Sequence, residues 1–405
     1  MKKHLSLILR ILVATAGLVY IAWIINWTDK VQVDPARAHL TGAAATVHLT
    51  KPISVPVISP DFNPQNLQQP VTIELKPGDA RTQLTLSPQQ LKDPNSGFIL
   101  HPGIITTLKH ARLWLLLLGL IIVAPIYPIT VFRWWMLLKT RGLEVPPLKA
   151  FRLCMVGCFF NYCMPGSTGG DVIKAYYAAR NSDRRADAVM TVIIDRIVGL
   201  LGLFILAGVA GAFLPHADSR VHKVILFVWG IAAVVVLVSA FYFSRRLRKA
   251  SGLDWLLTRL LPKDSIFAKV DQAAAAYSHH KLVVLGSILL SLPVHILLAI
   301  SSFTAGRALG MDTHLMTFLT VIPVLFLVMA IPISPQGAGT TELVAILLLV
   351  RPGSLVTPNQ VVVMLIMIRL YQLVYSLSGS VFLLQGDIHM YPQRVPEPEP
   401  QSAVA

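Results

Sequence analysis

The stretch MPGSTGGD at residues 164–171 interrupts an apolar part of the chain, and the stretch IPISPQGAGTTE does the same at residues 331–342. Each runs from a proline through small residues to a carboxylate that opens a new helix, Asp171 in the first break and Glu342 in the second. Irregular backbone at membrane depth is costly unless it is packed in protein or lines a cavity. Two related breaks therefore predict a functional site at membrane depth, as in transporters and flippases.

The composition is typical of a polytopic membrane protein. Hydrophobic residues make up 54% of the 405 positions and charged residues 14%, and the mean hydropathy is +0.64. The net charge of +15 comes from Lys and Arg residues between apolar runs, which indicates loops facing anionic lipid and argues against nucleic-acid binding. Apolar runs, most near the roughly 20 residues that a bilayer requires, cover residues 11–27, 113–132, 188–214, 221–243, 282–305, 315–331 and 361–384.

Residues 28–110 differ from the rest of the chain, because prolines accumulate and apolar and polar residues alternate. The alternation at residues 45–50, 71–76 and 81–86 predicts short, half-buried β-strands. Basic residues before the first span hold the N-terminus in the cytoplasm under the positive-inside rule. The sequence therefore predicts a small β-rich extracytoplasmic insert.

Two clusters of basic residues flank the apolar segment 151–163, and both favour the cytoplasm. A full crossing would leave the second cluster outside, so we predict a re-entrant hairpin over residues 148–180. A matching hairpin is predicted over residues 315–350, entering from the outer side. The first cluster is Arg133, Lys139, Arg141, Lys149 and Arg152, and the second is Lys174, Arg180, Arg184 and Arg185.

Together these features predict an all-α polytopic membrane protein with six full transmembrane helices and two re-entrant hairpins in an inverted repeat, plus the β-rich insert. The predicted divisions are an N-terminal transmembrane helix (1–27), the insert (28–110), a first membrane repeat (111–244), a cytoplasmic amphipathic linker (245–281), a second membrane repeat (282–387) and a disordered cytoplasmic tail (388–405).

Arg196 and Arg369 are the leading candidates for substrate binding, since a lone charge within a span costs several kcal/mol and needs a partner. A phosphate group is one such partner, because guanidinium binds it through two parallel hydrogen bonds. The alternative is an ion pair with Asp171, Asp195 or Glu342 that closes the helix bundle, and the acids could also hold the arginines until substrate arrives. Adjacent Asp195 and Arg196 point about 100° apart on a helix, so each is expected to have a cross-helix partner.

The breaks supply further candidates. Backbone N–H groups at the start of each second arm could bind phosphate, or Asp171 and Glu342 could cap them or act in proton-coupled transport. Asn161, Gln336 and Thr340 could bind substrate or satisfy broken backbone. The residues expected to shape the hairpins are Pro165, Gly169, Gly170, Pro332, Pro335, Gly337 and Gly339.

Metal-binding and catalytic patterns are weak. No histidine or carboxylate lies at zinc spacing from the three cysteines of segment 151–163, so we expect free thiols, no metal and no cofactor. His295 could be a packed hydrogen-bonding residue or a proton relay. The sequence has no paired-acid, Ser-His-Asp or phosphate-loop pattern.

The motifs resemble the lysylphosphatidylglycerol synthase transmembrane-region family of flippase-like membrane proteins, over about residues 113–384. The resemblance is carried by Asn161 and by segments 165–171, 195–201 and 332–342, although the family tends to have Glu-Arg where this chain has Asp195-Arg196. It implies a bacterial inner-membrane protein that handles aminoacylated phospholipid, hopanoid-related lipid or lipid-linked sugar.

The leading hypothesis is a translocator of an anionic lipid or lipid-linked head group, with membrane phospholipid as partner. The chain lacks the soluble aminoacyl-transferase domain of the full synthase, so we do not expect aminoacyl transfer, and its large insert is unusual for the family. The alternatives are a membrane-embedded lipid transferase and a noncatalytic partner of a lipid-modifying enzyme complex.

Overall fold

A computed structural model describes residues 26–38, 51–59, 63–65, 67–75, 82–93, 96–163, 169–180, 184–214, 277, 280–331, 334–350 and 355–384, with isolated positions within 15–19 and 223–237. Most of the first predicted span and of the fourth, nearly all of the cytoplasmic linker and the C-terminal tail lie outside the described residues. Elements are numbered below within the described part of the chain.

Short antiparallel strands form in the insert. Strand β1 (Lys30–Val33) pairs with β2 (Ile53–Pro56) on one side and with β5 (Phe98–His101) on the other. Strand β3 (Val71–Leu75) pairs with β4 (Thr82–Leu86). The apolar positions of β3 alternate with polar ones and are buried, as period-2 patterning requires. The strands predicted at residues 71–76 and 81–86 are confirmed, whereas the one predicted at 45–50 lies outside the described residues.

Side-chain amides attach the insert to the helices. The amide of Gln65 donates to the backbone oxygens of His110 and Ala308, both at 2.9 Å. The amide of Asn359 donates to the oxygens of Asn26 and Pro102, both at 2.7 Å. Between β4 and β5 lies the short helix α1 (Pro88–Lys92), and α2 (Ile104–Lys109) follows β5. The insert thus docks on one end of the helical part.

Four helical segments of the described chain are long and apolar enough to cross a membrane. Helices α3 (Leu113–Val123) and α4 (Ile126–Thr140) form one such segment, with a break at Pro125. The others are α7 (Arg185–Ala212), α8 (Lys281–Ala308) and α11 (Pro358–Leu384). The chain is therefore a mostly helical, multi-pass membrane protein.

Each glycine-rich break lies between two shorter helices that pack against one another. Helices α5 (Pro147–Cys163) and α6 (Gly169–Arg180) flank the first break, and α9 (Leu315–Ala330) and α10 (Thr340–Leu349) flank the second. A Cβ built on Gly170 would lie 1.7 Å from the backbone oxygen of Gly157, so only glycine permits this approach of α6 to α5.

The helices pack in a pattern that repeats between the two halves. Helix α5 packs against α11, and α9 packs against α7, so the first arm beside each break contacts the span that follows the other break. Each second arm also packs against its own following span, α6 against α7 and α10 against α11. Corresponding helices of the two halves therefore make corresponding contacts.

Two basic residues differ from the sequence expectation. Arg133 and Lys174 were assigned to cytoplasmic clusters, but they are 6% and 5% exposed and lie inside the helix bundle. The second span was expected to end at Phe132, whereas α4 continues to Thr140 and carries Arg133 within it. The assignment was wrong because the positive-inside rule counts charge near span ends and cannot detect burial.

Candidate functional site

A cavity of about 400 Å³ lies where the two breaks approach each other, and residues of both halves line it. Apolar side chains of α4, α7 and α9 form much of the wall. Six of the eight predicted substrate-binding residues line this cavity, and the exceptions are Glu342 and Thr340. The six are Asn161, Asp171, Asp195, Arg196, Gln336 and Arg369.

Arg369 is held by the carboxylate that opens the arm after the second break. Its Nη1 lies 2.6 Å from Oε1 of Glu342, and the Glu342 side chain is 5% exposed. The other carboxylate oxygen, Oε2, accepts the backbone N–H of Gly339 at 2.8 Å. Glu342 therefore both caps α10 and neutralises Arg369. The Nη2 of Arg369 is buried and has no hydrogen-bond partner among the described residues.

Arg196 forms the equivalent ion pair in the first half. Its Nε contacts Oδ2 of Asp171, which lies in the first turn of α6 just as Glu342 lies in the first turn of α10. This pair is less buried than the Glu342–Arg369 pair, since the Arg196 side chain is 39% exposed and that of Asp171 24% exposed. In both halves, then, the acid after the break binds the arginine of the following span.

Asp195 binds two cations that the sequence reasoning did not place in the site. Its Oδ1 accepts Nε of Arg133 at 2.8 Å, and its Oδ2 lies 3.3 Å from Nζ of Lys174. Arg133 also donates from Nη1 to Oγ of Ser291 at 2.7 Å. The Lys174 ammonium lies over the ring of Trp134, 4.1 Å from its centroid, in cation–π geometry.

The expectation that Asp195 and Arg196 have different cross-helix partners is confirmed. Lys174 could have been found from the sequence, because it lies three residues after Asp171 and so on the same face of α6. The sequence indicated burial of Arg133 only weakly, because the apolar pattern of the span continues beyond this residue. We name the group of Arg133, Lys174 and Asp195 the Asp195 cluster.

The two halves are joined directly at the cavity. The amide Nε2 of Gln336, in the second break, donates to the backbone oxygen of Asn161 at 2.7 Å. Oδ1 of Asn161 in turn accepts the backbone N–H of Gly170 at 2.8 Å. Gln336 has a φ of 50°, a left-handed conformation that is uncommon for a residue with a side chain. The N–H groups of Gly170 and Gly339 are therefore bonded to side chains rather than free for phosphate.

The remaining polar candidates satisfy the protein's own backbone. The hydroxyl of Thr340 donates to the oxygen of Gly337 at 3.0 Å. Nε2 of His295 lies 3.0 Å from the oxygen of Gly199, as expected for a packed hydrogen-bonding residue. Gly337 and Gly339 have φ values of 69° and 83°, which favour glycine at both positions. Pro165 and Pro332 lie outside the described residues.

The pair of Tyr162 and Gln372 also lines the cavity. The hydroxyl of Tyr162 donates to Oε1 of Gln372 at 2.7 Å, joining α5 to α11. In the described part of the chain, no group of three or more His, Cys, Asp or Glu side chains could hold a metal ion. The site is thus a charged, hydrogen-bonded cavity between two helix breaks.

Comparison with known proteins relates the chain to other membrane proteins. The chain is 26% identical over 186 residues to the UPF0104 membrane protein PH1989 of Pyrococcus horikoshii, a match that covers 44% of this chain and 54% of that protein. The chain thus spans about half the length of this relative. No solved structure matches the chain. The family described as "Lysylphosphatidylglycerol synthase TM region" matches residues 102–379, more than half of the sequence, and the chain belongs to this family.

Proposed function

We propose that this protein translocates an anionic lipid, or the head group of a lipid-linked molecule, between the two sides of its membrane through the cavity between the breaks. The observation that carries the proposal is the lining of the cavity, which contains four basic side chains and two carboxylates. Charged groups inside a membrane protein are costly and mark the path of ions or polar substrates. The basic side chains are Arg133, Lys174, Arg196 and Arg369.

The lengths of the helices beside the breaks support re-entrant hairpins. At 1.5 Å per residue, α5 is about 25 Å long and α9 about 24 Å, whereas the hydrocarbon core is about 30 Å thick. Helices α6 and α10 are shorter still. A pair of such arms reaches the interior of the bilayer and returns. The cavity then lies at membrane depth, where irregular backbone is tolerated because it lines a polar space.

The matching contacts of the halves support an inverted repeat, in which the first hairpin enters from the cytoplasm and the second from the outside. Under the positive-inside rule, the N-terminus is cytoplasmic and the β-rich insert is extracytoplasmic. A lipid head group would cross through the cavity while its acyl chains stay in the bilayer. Arg369 is the residue best placed to bind it, because its Nη2 has no partner in the described chain.

Translocation can be measured with the full chain in phosphatidylcholine vesicles that contain fluorescent phosphatidylglycerol. Dithionite bleaches label in the outer leaflet only, so the rate of further bleaching reports movement between leaflets. We expect the protein to accelerate this movement and Arg369→Gln to reduce the rate about tenfold or more, since a charge-assisted hydrogen bond to phosphate is lost.

Arg307→Gln is the matched control, because Arg307 forms an exposed ion pair with Asp312 at 2.6 Å and does not line the cavity. This variant should move lipid at the wild-type rate. A rate no higher than that of protein-free vesicles would contradict the proposed translocation. Equal rates for Arg369→Gln and Arg307→Gln would show that Arg369 does not take part in translocation.

A further inference from the structure

We propose that the Asp195 cluster is an anion-binding site for the phosphate oxygens of the ligand, with Arg133 and Lys174 as the binding groups. The inference rests on the proposed function, because it assigns the phosphate of the transported lipid to a position in the cavity. It adds a site distinct from Arg369. All three residues of the cluster line the cavity.

The charge of the cluster carries the argument. Asp195 binds Arg133 at 2.8 Å and Lys174 at 3.3 Å, so two buried cations share one carboxylate. The other carboxylate in the lining, Asp171, binds Arg196, and Glu342 neutralises Arg369 from outside the lining. Among the described lining residues, one positive charge of the cluster therefore lacks an acidic counterpart. An anionic ligand bound at the cluster would neutralise this charge.

A purely structural role does not account for the second cation. The Arg133–Asp195 pair joins α4 to α7, and the Asp171–Arg196 pair joins α6 to α7, so each helix pair already has an ion pair without Lys174. Lys174 adds a charge whose desolvation is unfavourable, and such groups in membrane proteins are retained mainly for function. Replacing it with an apolar side chain would pack the same helices without that cost.

The second half of the protein has apolar side chains at the positions that correspond to Lys174 and Asp195. Asp171 corresponds to Glu342 and Arg196 to Arg369 through their matching ion pairs, so Lys174 corresponds to Ala345 and Asp195 to Ile368. Ala345 is 0% exposed and Ile368 is 4% exposed. The fold therefore places apolar side chains at the equivalent positions. The charges of Lys174 and Asp195 are therefore present in one half only.

The chemistry of the two cations suits a phosphate oxyanion. Guanidinium and ammonium groups are the usual partners of phosphate in proteins. The cavity of about 400 Å³ is within the size range of small-ligand sites. The phosphate could belong to a lipid head group or be free in solution, and the experiment separates these sources.

Trp134 provides a reporter, because Lys174 lies on its ring. The purified full chain in dodecyl maltoside would be titrated with dihexanoyl phosphatidylglycerol, dihexanoyl phosphatidylcholine and inorganic phosphate. Tryptophan fluorescence would be compared with that of Trp134→Phe, and calorimetry would give the affinities. We expect phosphatidylglycerol to bind and to change the Trp134 signal, and phosphatidylcholine to bind at least tenfold more weakly. Binding of inorganic phosphate as well would identify a general oxyanion site, and its absence would identify a lipid site.

Lys174→Gln removes the unmatched charge and leaves the Arg133–Asp195 pair intact, so it should fold and should bind phosphatidylglycerol about tenfold or more weakly. Lys174→Arg should restore binding. Asp195→Asn keeps both cations and should bind at least as tightly as the wild type. Arg141→Gln is the matched control, because Arg141 joins α4 to α7 through Asp187 but does not line the cavity.

Wild-type affinity in Lys174→Gln, or no response of Trp134 to phosphatidylglycerol, would overturn the assignment. Equal loss of binding and of thermal stability in Lys174→Gln and Asp195→Asn would also overturn it, because a structural cluster predicts that result. Lysine-dependent binding without translocation in vesicles would leave this site standing and reject the proposed transport. If Lys174→Gln translocates lipid and binds phosphatidylglycerol as the wild type does, the proposed transport would stand and this site would be rejected.

Discussion

Glu342 binds Arg369 with one carboxylate oxygen and caps the backbone of its own helix with the other. Helix α10, after the second break, is thereby fixed to α11 through a single side chain. Asp171 and Arg196 repeat the ion pair in the first half, but with more of both side chains exposed. The two equivalent contacts should therefore differ in energy.

Glu342→Gln should lower the free energy of unfolding by about 3–5 kcal/mol, because it leaves the partly buried charge of Arg369 without a counter-ion. Asp171→Asn should cost less, on the order of 1 kcal/mol, because solvent screens the more exposed pair. The measurement is equilibrium unfolding in mixed detergent micelles. Double-mutant cycles with Arg369→Gln and Arg196→Gln isolate each coupling energy. A larger coupling for Asp171–Arg196 would contradict the prediction.

Gly170→Ala should destabilise the protein by about 1–3 kcal/mol, since the new Cβ would force α6 away from the backbone of Gly157. Gly286→Ala is the matched control, because a Cβ at that position of α8 would have no neighbour within 4 Å apart from the adjacent residues and backbone of its own helix. That substitution should be neutral or slightly stabilising, as expected for alanine in a helix. Melting temperatures in detergent test both changes, and equal shifts would rule out a close contact at Gly170.

Gln336→Ala should impair lipid translocation more than Gln336→Gly does. Both variants lose the hydrogen bond to Asn161, but alanine must also adopt the left-handed backbone at φ 50°, at a cost of about 1 kcal/mol. Parallel measurements of melting temperature and translocation rate separate the two contributions. Identical behaviour of the two variants would show that the backbone conformation at this position is unimportant.

The insert should become less stable in acid because of His101. Burial lowers the pKa of His101 below its ordinary value of 6.5. The unfolded state then binds the proton more readily than the folded state, so the stability that is present above pH 6.5 is lost as pH falls from 6.5 through the lowered pKa. Hydrogen exchange of the β1 and β5 amides in the full chain should accelerate over this window.

His101→Gln is the control for this effect, since glutamine does not titrate. Its exchange rates, corrected for the intrinsic pH dependence of exchange, should not change between pH 7.5 and pH 5. An identical pH response in this variant and the wild type would assign the effect to another group.

The sequence predicted the parts of the site that depend on local pattern. The carboxylates after each break, the arginines of the spans that follow them and the different faces of Asp195 and Arg196 follow from spacing alone. The strands at residues 71–76 and 81–86 follow from alternation. Spacing in the sequence could not predict which helices contact one another. Arg133 reaches Asp195 across 62 positions, and Gln336 reaches Asn161 across 175.

The same reason explains the error at Arg133 and Lys174. A basic residue beside an apolar run has the same local pattern whether it faces the cytoplasm or a carboxylate inside the bundle. Only the packing of α4 and α6 against α7 decides between the two, and that packing depends on the whole fold. Capping by Glu342 and its pairing with Arg369 were both predicted, the first as an alternative to a role in transport and the second as an alternative to phosphate binding by the arginine.

The exchange of partners between the halves has a consequence for assembly. Helix α5 needs α11, the last helix described in the chain, and α9 needs α7 from the earlier half. Neither half contains all the surfaces that its own arms cover. Synthesis must therefore reach α11 before α5 obtains its permanent neighbour, and a chain cut between α7 and α8 should regain its structure only when both pieces share one membrane.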